Sequence, residues 1–402
     1  MTLTAPTPVA TASVRRSRFG FALAIVAQIA MMVGASAPSP FYPVLAAEIG
    51  FDSIVISAIF AVYAIALLLA LLSAGSLSDH IGRRPVAIAG FLLLTTSMIL
   101  FWHADTVATL VLARILQGAA SGVLISTLSA TALDLAPEGK ARVAALWNAL
   151  SPGIGLGLGA ILAGIALDLT GEPLLDVFAP LTAIYLVLAG LFLLAPETAP
   201  RRPGAWASLR FRLSIPGSVR GDFWRGAPAV IAGWATGGLF LSLGATIVHT
   251  ELGGEAHSWQ GLAVGMLAGV GAITAFIMRH RSPRTTVIFG TAALAVGTAL
   301  SLVALSAASL PFYLAATAVT GMGFGTAFSG VVASLAPRIP ATERADTFAV
   351  IYVLAYSAFG VPTVIAGTLV GPLGLETVCV GYGAVVIVLA LIALVLRVHR
   401  AQ

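Results

Sequence analysis

Apolar residues along this chain do not alternate singly with polar ones. They gather into twelve long runs, at 19–46, 53–75, 86–104, 106–135, 142–167, 174–195, 227–250, 257–278, 285–308, 310–336, 345–371 and 375–396. Helical residues rise 1.5 Å each, so about 20 of them cross a hydrocarbon layer about 30 Å thick. Backbone in lipid must satisfy its own hydrogen bonds, so each run is expected to be a helix. The two-residue period of a transmembrane barrel strand is absent. The pattern therefore predicts an all-α membrane protein with 12 transmembrane helices.

Composition strengthens this reading. Only 9% of residues are charged and mean hydropathy is +1.01, whereas a soluble domain carries about 25% charged residues. Twelve spans use most of the 402 residues, leaving little for a soluble domain. The longest polar stretch, 196–226, holds Pro196, Pro200, Pro203 and Pro216 with six arginines and two acids. It reads as a cytoplasmic linker. The expected organisation is a tail at 1–18, a six-helix bundle at 19–195, the linker, a second six-helix bundle at 227–396 and a tail at 397–402. Within the linker, 206–225 carries Trp206, Leu209, Phe211, Leu213, Phe223 and Trp224. That part fits equally an amphipathic segment on an anionic membrane surface and a disordered connection.

Charge placement sets the orientation. Basic residues fall at 15–18, 83–84, 140–142, 201–225, 279–284, 338–344 and 397–400, with Arg114 the exception. These are alternate loops and both tails. The other loops carry Glu48, Asp52, Asp105, Asp168, Glu172, Asp176, Glu251, Glu255 and Glu376. Basic loops stay in the cytoplasm, so both termini are expected there. The calculated pI of 9.8 then reflects topology, not a nucleic-acid partner. Arg15-Arg16-Ser17-Arg18 precedes the first run, and Ala35-Ser36-Ala37 looks like a cleavage site. The run at 19–46 exceeds the 7–15 residues of a signal core, so an uncleaved first span is expected. An alanine- and glycine-rich chain of this kind suits a bacterial cytoplasmic membrane.

A faint repeat relates the two halves. A shift of 203 residues brings Gly118 onto Gly321, Gly122 onto Gly325 and Pro137 onto Pro340. Two similar halves place a substrate site at their interface, near the bilayer midplane.

Several motifs stand on this scaffold. Gly75-Ser76-Leu77-Ser78-Asp79-His80-Ile81-Gly82-Arg83-Arg84-Pro85 joins spans 2 and 3. Its glycines allow tight turning and close helix approach. Asp79 is a surface anion able to face a helix start or a basic partner, and Arg83 and Arg84 hold the loop inside. Arg114-Ile115-Leu116-Gln117-Gly118 lies in span 4, with Arg114 about 12 Å deep at 1.5 Å per residue. An arginine there should face a cavity or a partner, and Gln117, three residues on, shares its face. Pairing with nearby carbonyls or with Glu48 is the structural alternative. Span 5 holds Asn148-Ala149-Leu150-Ser151-Pro152-Gly153-Ile154-Gly155-Leu156-Gly157-Leu158-Gly159. Its glycines form two small-residue stripes, Gly153/Gly157 and Gly155/Gly159, suited to close packing on two sides, and Pro152 frees a carbonyl and bends the helix. Span 1 ends in Pro38-Ser39-Pro40-Phe41-Tyr42-Pro43, expected to kink or unwind near Arg114.

Across 19–396 the chain resembles the major facilitator superfamily, most closely its twelve-span branch of drug and metabolite:proton antiporters. The Gly75–Pro85 segment is similar to that family's loop 2–3 signature. The resemblance implies two pseudo-symmetric six-helix bundles and a latch that stabilises the outward-facing state. Asp79 would engage the start of span 11, and Arg83 would pair with Asp134. It also implies a link between Arg114 and proton transfer. Span 5 is similar to the antiporter motif but departs from it at Ser151 and Leu156, where glycine is usual. The prolines of span 1 resemble those of drug-efflux members.

Polar and aromatic groups at mid-span suit small amphiphiles. The candidates for substrate binding or proton coupling are Gln28, Tyr63, Arg114, Gln117, Asn148, Ser151, Trp234, Ser329, Tyr352 and Tyr356, each of which could equally serve packing. His103, His249 and His257 lie near the outer face and read as solvated. The single cysteine, Cys379, gives no disulfide and no metal set, and it reads as a packing residue. No HExxH, Ser–His–Asp set or acid pair lies in the spans, so an enzyme is not expected.

The expected function is alternating-access export of a small organic or amphiphilic compound, as a proton antiporter with the proton gradient as energy source and no cofactor. A proton-coupled importer or a uniporter is the alternative, and a non-transporting receptor the remote one. No Asp or Glu lies mid-span, which favours neutral or weakly anionic substrates over permanent cations. Proton coupling would then fall to Asp79, Asp134, His249 or an outer-edge acid. Partners are the substrate and the lipid bilayer, and the protein is expected to be a monomer.

Overall fold

The computed structural model describes residues 14–205, 213–340 and 343–398. Twelve helices are long and apolar enough to cross a membrane. They are α1 (Val14–Ser36), α2 (Ser53–Ala74), α3 (Arg83–Trp102), α4 (Val107–Asp134), α5 (Ala141–Leu169), α6 (Pro173–Phe192), α7 (Gly217–Thr250), α8 (His257–Met278), α9 (Pro283–Ser306), α10 (Leu310–Leu335), α11 (Arg344–Leu373) and α12 (Leu375–Val398). The proline-rich end of α1 continues as a tight turn at Ser39–Phe41 and a short helix at Tyr42–Ile49. Proline removes an N–H donor at each of these places, so the chain re-forms as separate turns.

The helices form two pseudo-symmetric bundles, α1–α6 and α7–α12. In each, a tyrosine of the sixth helix ties back to the first: Tyr185 donates to the Ala30 carbonyl at 3.0 Å, and Tyr382 to the Ala235 carbonyl at 2.7 Å. Capping follows the expected chemistry. Asp52 accepts from the Val55 N–H and Ser282 from the Thr285 N–H, each at 3.1 Å, satisfying amides that the first helical turn leaves open.

One boundary differs from the sequence expectation. Helix α7 begins at Gly217, inside the stretch read as linker. Val219 and Phe223, one turn apart, bury against Val331, Leu335 and Ile339, and this packing extends the helix through polar sequence. Trp224 and Leu213 are exposed. Trp206, Leu209 and Phe211 lie outside the described residues.

One end of the molecule carries the basic loops and the other the acidic ones. Contacts between the halves run from mid-membrane to the acidic end. Helix α5 lies on α8 through small residues, where a Cβ at Gly153 would stand 2.8 Å from Ala272 and one at Gly157 3.2 Å from the Gly265 carbonyl. At Gly164 it would meet the His257 carbonyl at 2.6 Å. Helix α2 approaches α11 through Ser57 and Gly367. Toward the basic end Val143, Ile273 and Ile277 are exposed. The described contacts that join the halves therefore lie between mid-membrane and the acidic end.

Candidate functional site

The interface between the bundles is lined at mid-membrane by rings. Tyr63 and Phe60 on α2 stand 6.5 Å apart, and Phe60 meets Phe359 of α11 at 4.8 Å. Phe359 lies 5.6 Å from Trp234 on α7, whose ring also contacts Tyr356 at 4.8 Å and Phe328 at 5.3 Å. Tyr352 follows at 6.4 Å from Tyr356. Tilted and edge-on pairs of this kind hold their geometry beyond simple area burial. Of the residues expected here, Tyr63, Trp234, Tyr352 and Tyr356 are thus brought together. Phe60, Phe328 and Phe359 were not anticipated. A phenylalanine in an apolar helix has no sequence mark that separates a pathway wall from a lipid-facing surface.

The N-terminal half adds amides. Gln28 Nε2 donates to Asn148 Oδ1 at 2.9 Å, and Asn148 Nδ2 to the Ser129 carbonyl at 3.1 Å. This chain couples α1, α4 and α5. Gln28 is buried and Asn148 half-buried, so Asn148 is the more accessible of the two.

Ser151 and Ser329 are not presented to the interface as donors. Ser151 is buried and donates to the Trp147 carbonyl at 2.7 Å, and Ser329 donates to the Gly325 carbonyl at 2.8 Å. Helical serines readily make this bond to the preceding turn. The adjoining glycines separate as two faces. Gly153 and Gly157 meet α8, whereas a Cβ at Gly155 would stand 2.5 Å from the Ile29 carbonyl of α1.

Arg114 and Gln117 lie buried inside the N-terminal half. Arg114 is fully buried. Its Nε donates to the Tyr42 hydroxyl at 2.7 Å, and Nη1 to the Ala35 carbonyl at 3.1 Å and to Gln117 Oε1 at 2.5 Å. Gln117 Nε2 in turn donates to the Gly34 carbonyl at 2.7 Å. Nη2 has no hydrogen-bond partner among the described residues. The guanidinium centre stands 5.2–5.4 Å from the rings of Tyr42, Tyr63 and Phe101, and ring faces stabilise a cation in a dry site. The partners are one carbonyl, a hydroxyl and an amide rather than Glu48. The last turn of α1 supplies the Ala35 carbonyl, and the turns after Pro38 deliver Tyr42. Tyr63 touches Arg114 and is the first of the interface rings, so it connects the buried charge with the pathway.

The matching place in the C-terminal half is built differently. At the repeat offset of 203 residues, Thr317 and Thr320 stand where Arg114 and Gln117 stand. A cavity of about 40 Å³ opens there, lined by Ser301, Thr298, Thr320, Tyr313, Tyr382 and Cys379. The Ser301 and Thr298 hydroxyls are buried without a hydrogen-bond partner among the described residues.

At the basic end, Arg83 holds three groups: Asp79 at 2.5 Å, Ser78 Oγ at 2.7 Å and Asp134 at 3.4 Å. Asp79 therefore pairs within its own loop, with Arg83, and not with the start of α11. Arg84 donates to the Phe192 carbonyl at 3.2 Å. Gly82 has φ +108°, a conformation that favours glycine, and a Cβ there would press on Glu197. Glu197 accepts from the N–H groups of Arg83 at 2.7 Å and Arg84 at 3.1 Å. Gly75 packs against the Leu71 carbonyl.

At the acidic end Asp168 of α5 caps α8 across the interface. It accepts from the N–H groups of His257 at 2.7 Å and Ser258 at 2.8 Å, and lies 3.0 Å from His257 Nδ1. His257 is therefore part of the closed interface and is not simply solvated. Asp168 and His257 are far apart in sequence, and no local pattern pairs them.

Among the described residues no group of His, Cys, Asp and Glu could hold a metal. Comparison with known proteins fits this transporter geometry. The cephamycin export protein CmcT of Amycolatopsis lactamdurans is 29% identical over 260 residues. That match covers 64% of this chain and 48% of the relative, so the chain spans about half the length of that relative. The human organic anion transporter MFSD10 (TETRAN) has a similar structure, with TM-score 0.68 and 16% identity over 94% of this chain and 99% of that one. A POT family transporter in complex with a thioalcohol-conjugated peptide gives TM-score 0.73 at 14% identity, covering 95% and 96%. A bacterial homologue of the human lysosomal transporter Spinster, inward-facing and unoccupied, gives 0.71 at 13%, covering 95% and 97%. The family description Major Facilitator Superfamily matches residues 24–297, and with twelve helices in two related bundles, this chain belongs to that superfamily of membrane transporters.

Proposed function

We propose that this protein exports a small, neutral or weakly anionic amphiphile from a bacterial cytoplasm in exchange for protons. The observation that carries the reading is the ring-lined interface from Tyr63 to Tyr352, beneath halves that are closed at the acidic end. With the basic loops and both termini in the cytoplasm, this is the inward-facing, loading state of a monomeric carrier. Rings and the Asn148 amide would hold an apolar body with a polar handle. The named activity of the cephamycin exporter supports export over uptake.

Rocking of the bundles would bring the basic ends together. Asp79 would then exchange Arg83 for the start of α11, while Asp134, Gly75, Gly82 and Arg84 keep the loop in place. The Asp168 cap would break at the other end. Arg114, without an acid partner in this state, would respond to protonation or to substrate charge through Tyr63.

Proteoliposomes with an imposed pH gradient and a panel of neutral, anionic and cationic amphiphiles test this. Accumulation that needs the gradient and is lost in Trp234→Ala and Arg114→Ala supports the reading. Gradient-independent equilibration, unaffected by Arg114→Ala, would replace antiport with uniport.

A further inference from the structure

The two halves end on the basic side with opposite charges in corresponding places. In the N-terminal half the start of α3 is covered by the chain's own carboxylates. Glu197 sits on the Arg83 and Arg84 amides, and Asp134, at the end of α4, faces Arg83. In the C-terminal half the start of α9 borders a pocket of about 520 Å³. Its wall includes Ser282, Arg284, Ser334, Arg338 and Arg397. The end of α10 thus brings Arg338 where the end of α4 brings Asp134, and the end of α12 brings Arg397.

Arg397 is only 9% exposed and donates to Ser334 Oγ at 3.1 Å. Arg284 reaches the Val398 carbonyl at 3.3 Å. The carboxylate beside this wall, Asp222 of α7, is already engaged by Arg338 at 2.5 Å and Arg225 at 3.3 Å. Arg338 is balanced by Asp222, while Arg284 and Arg397 add positive charge at the same helix start, an arrangement that attracts an anion. The guanidinium fork fits phosphate oxygens in pairs. Toward mid-membrane, α9 exposes Phe289, and α12 exposes Ile392, Val395 and Leu396. Charge at the membrane boundary with apolar surface directly below it is the arrangement of a phospholipid, and basic pockets between helices bind such headgroups.

We propose that this pocket binds the phosphate headgroup of an anionic phospholipid, whose acyl chains lie along the outer faces of α9 and α12. Native mass spectrometry and melting curves in neutral detergent test it, with phosphatidylglycerol, phosphatidylcholine and inorganic phosphate as probes. Wild type should retain phosphatidylglycerol and melt higher with it. Arg284→Gln/Arg338→Gln should bind it roughly thirtyfold more weakly, from the contribution of two basic residues near a membrane surface. Lys140→Gln/Arg142→Gln, which removes two exposed charges from the N-terminal half, should match wild type. Arg338 also holds Asp222, so the single variant Arg284→Gln guards against misfolding. It should bind about fivefold more weakly while melting as wild type without lipid. Equal binding by wild type and Arg284→Gln/Arg338→Gln would overturn the proposal. So would equal loss in both double variants, equal retention of phosphatidylcholine, or a full effect from inorganic phosphate alone.

Discussion

The same place in the two halves is filled in opposite ways. In the N-terminal half a buried arginine, three rings and a chain of carbonyls pack the space between α1, α2, α3 and α4. In the C-terminal half threonines stand at the matching positions, and a small cavity with unpaired hydroxyls remains. A buried charge is costly, so every group that meets it is held in one geometry. In the C-terminal half Thr320 bonds the Ala316 carbonyl of its own helix, while the Thr317, Thr298 and Ser301 hydroxyls have no partner among the described residues, so no buried charge is held there. The N-terminal half therefore holds a buried charge in a fixed set of partners, and the C-terminal half leaves the matching place uncharged and partly empty.

The largest effect should come from removing the charge. Arg114→Ala leaves a void and unpaired acceptors, at a cost of about 3–5 kcal/mol, read by unfolding in detergent. Arg114→Met fills much of the volume and should recover most of the stability while flux in proteoliposomes stays low. Full flux in Arg114→Met would reduce the contrast between the halves to packing. Tyr42→Phe removes one acceptor from the guanidinium and should cost about 1–3 kcal/mol by the same unfolding assay. Asp168→Ala removes the cap that ties α5 to α8. Loss of a helix cap, about 1 kcal/mol, should raise the population open at the acidic end roughly fivefold, seen as a longer spin-label distance between positions 172 and 255. An unchanged distance distribution would mean that the glycine packing alone closes that end. Ser301→Ala removes an unpaired hydroxyl and should change stability by no more than about 0.5 kcal/mol. A large loss there would show that the C-terminal cavity is as demanding as its counterpart.

Span positions and fold class were legible because lipid imposes long apolar runs that survive any detail of packing. The pairing of Arg114 with Gln117 was legible because three residues on a helix share a face, and their hydrogen bond follows. The two glycine faces of α5 were legible for the same reason. Other features depend on what tertiary packing brings together. Asp222 lay in a stretch read as linker, yet burial of Val219 and Phe223 makes it helical and pairs it with Arg338. Asp168 and His257 meet only because α5 crosses to α8. Asp79 was expected at the start of α11, but Arg83, four residues on in the same loop, is its partner here. Ser151 and Ser329 looked like pathway donors, but their hydroxyls turn to their own helices.

The contact between α5 and α8 has one more consequence. From Gly153 to Gly164 the two helices meet through backbone and small side chains, and the polar bonds of that contact are gathered at Asp168. Such a seam behaves like a zip with a single clasp. Without long side chains to disentangle, parting this seam would require no search through rotamers, so its polar resistance is concentrated in one carboxylate at the rim.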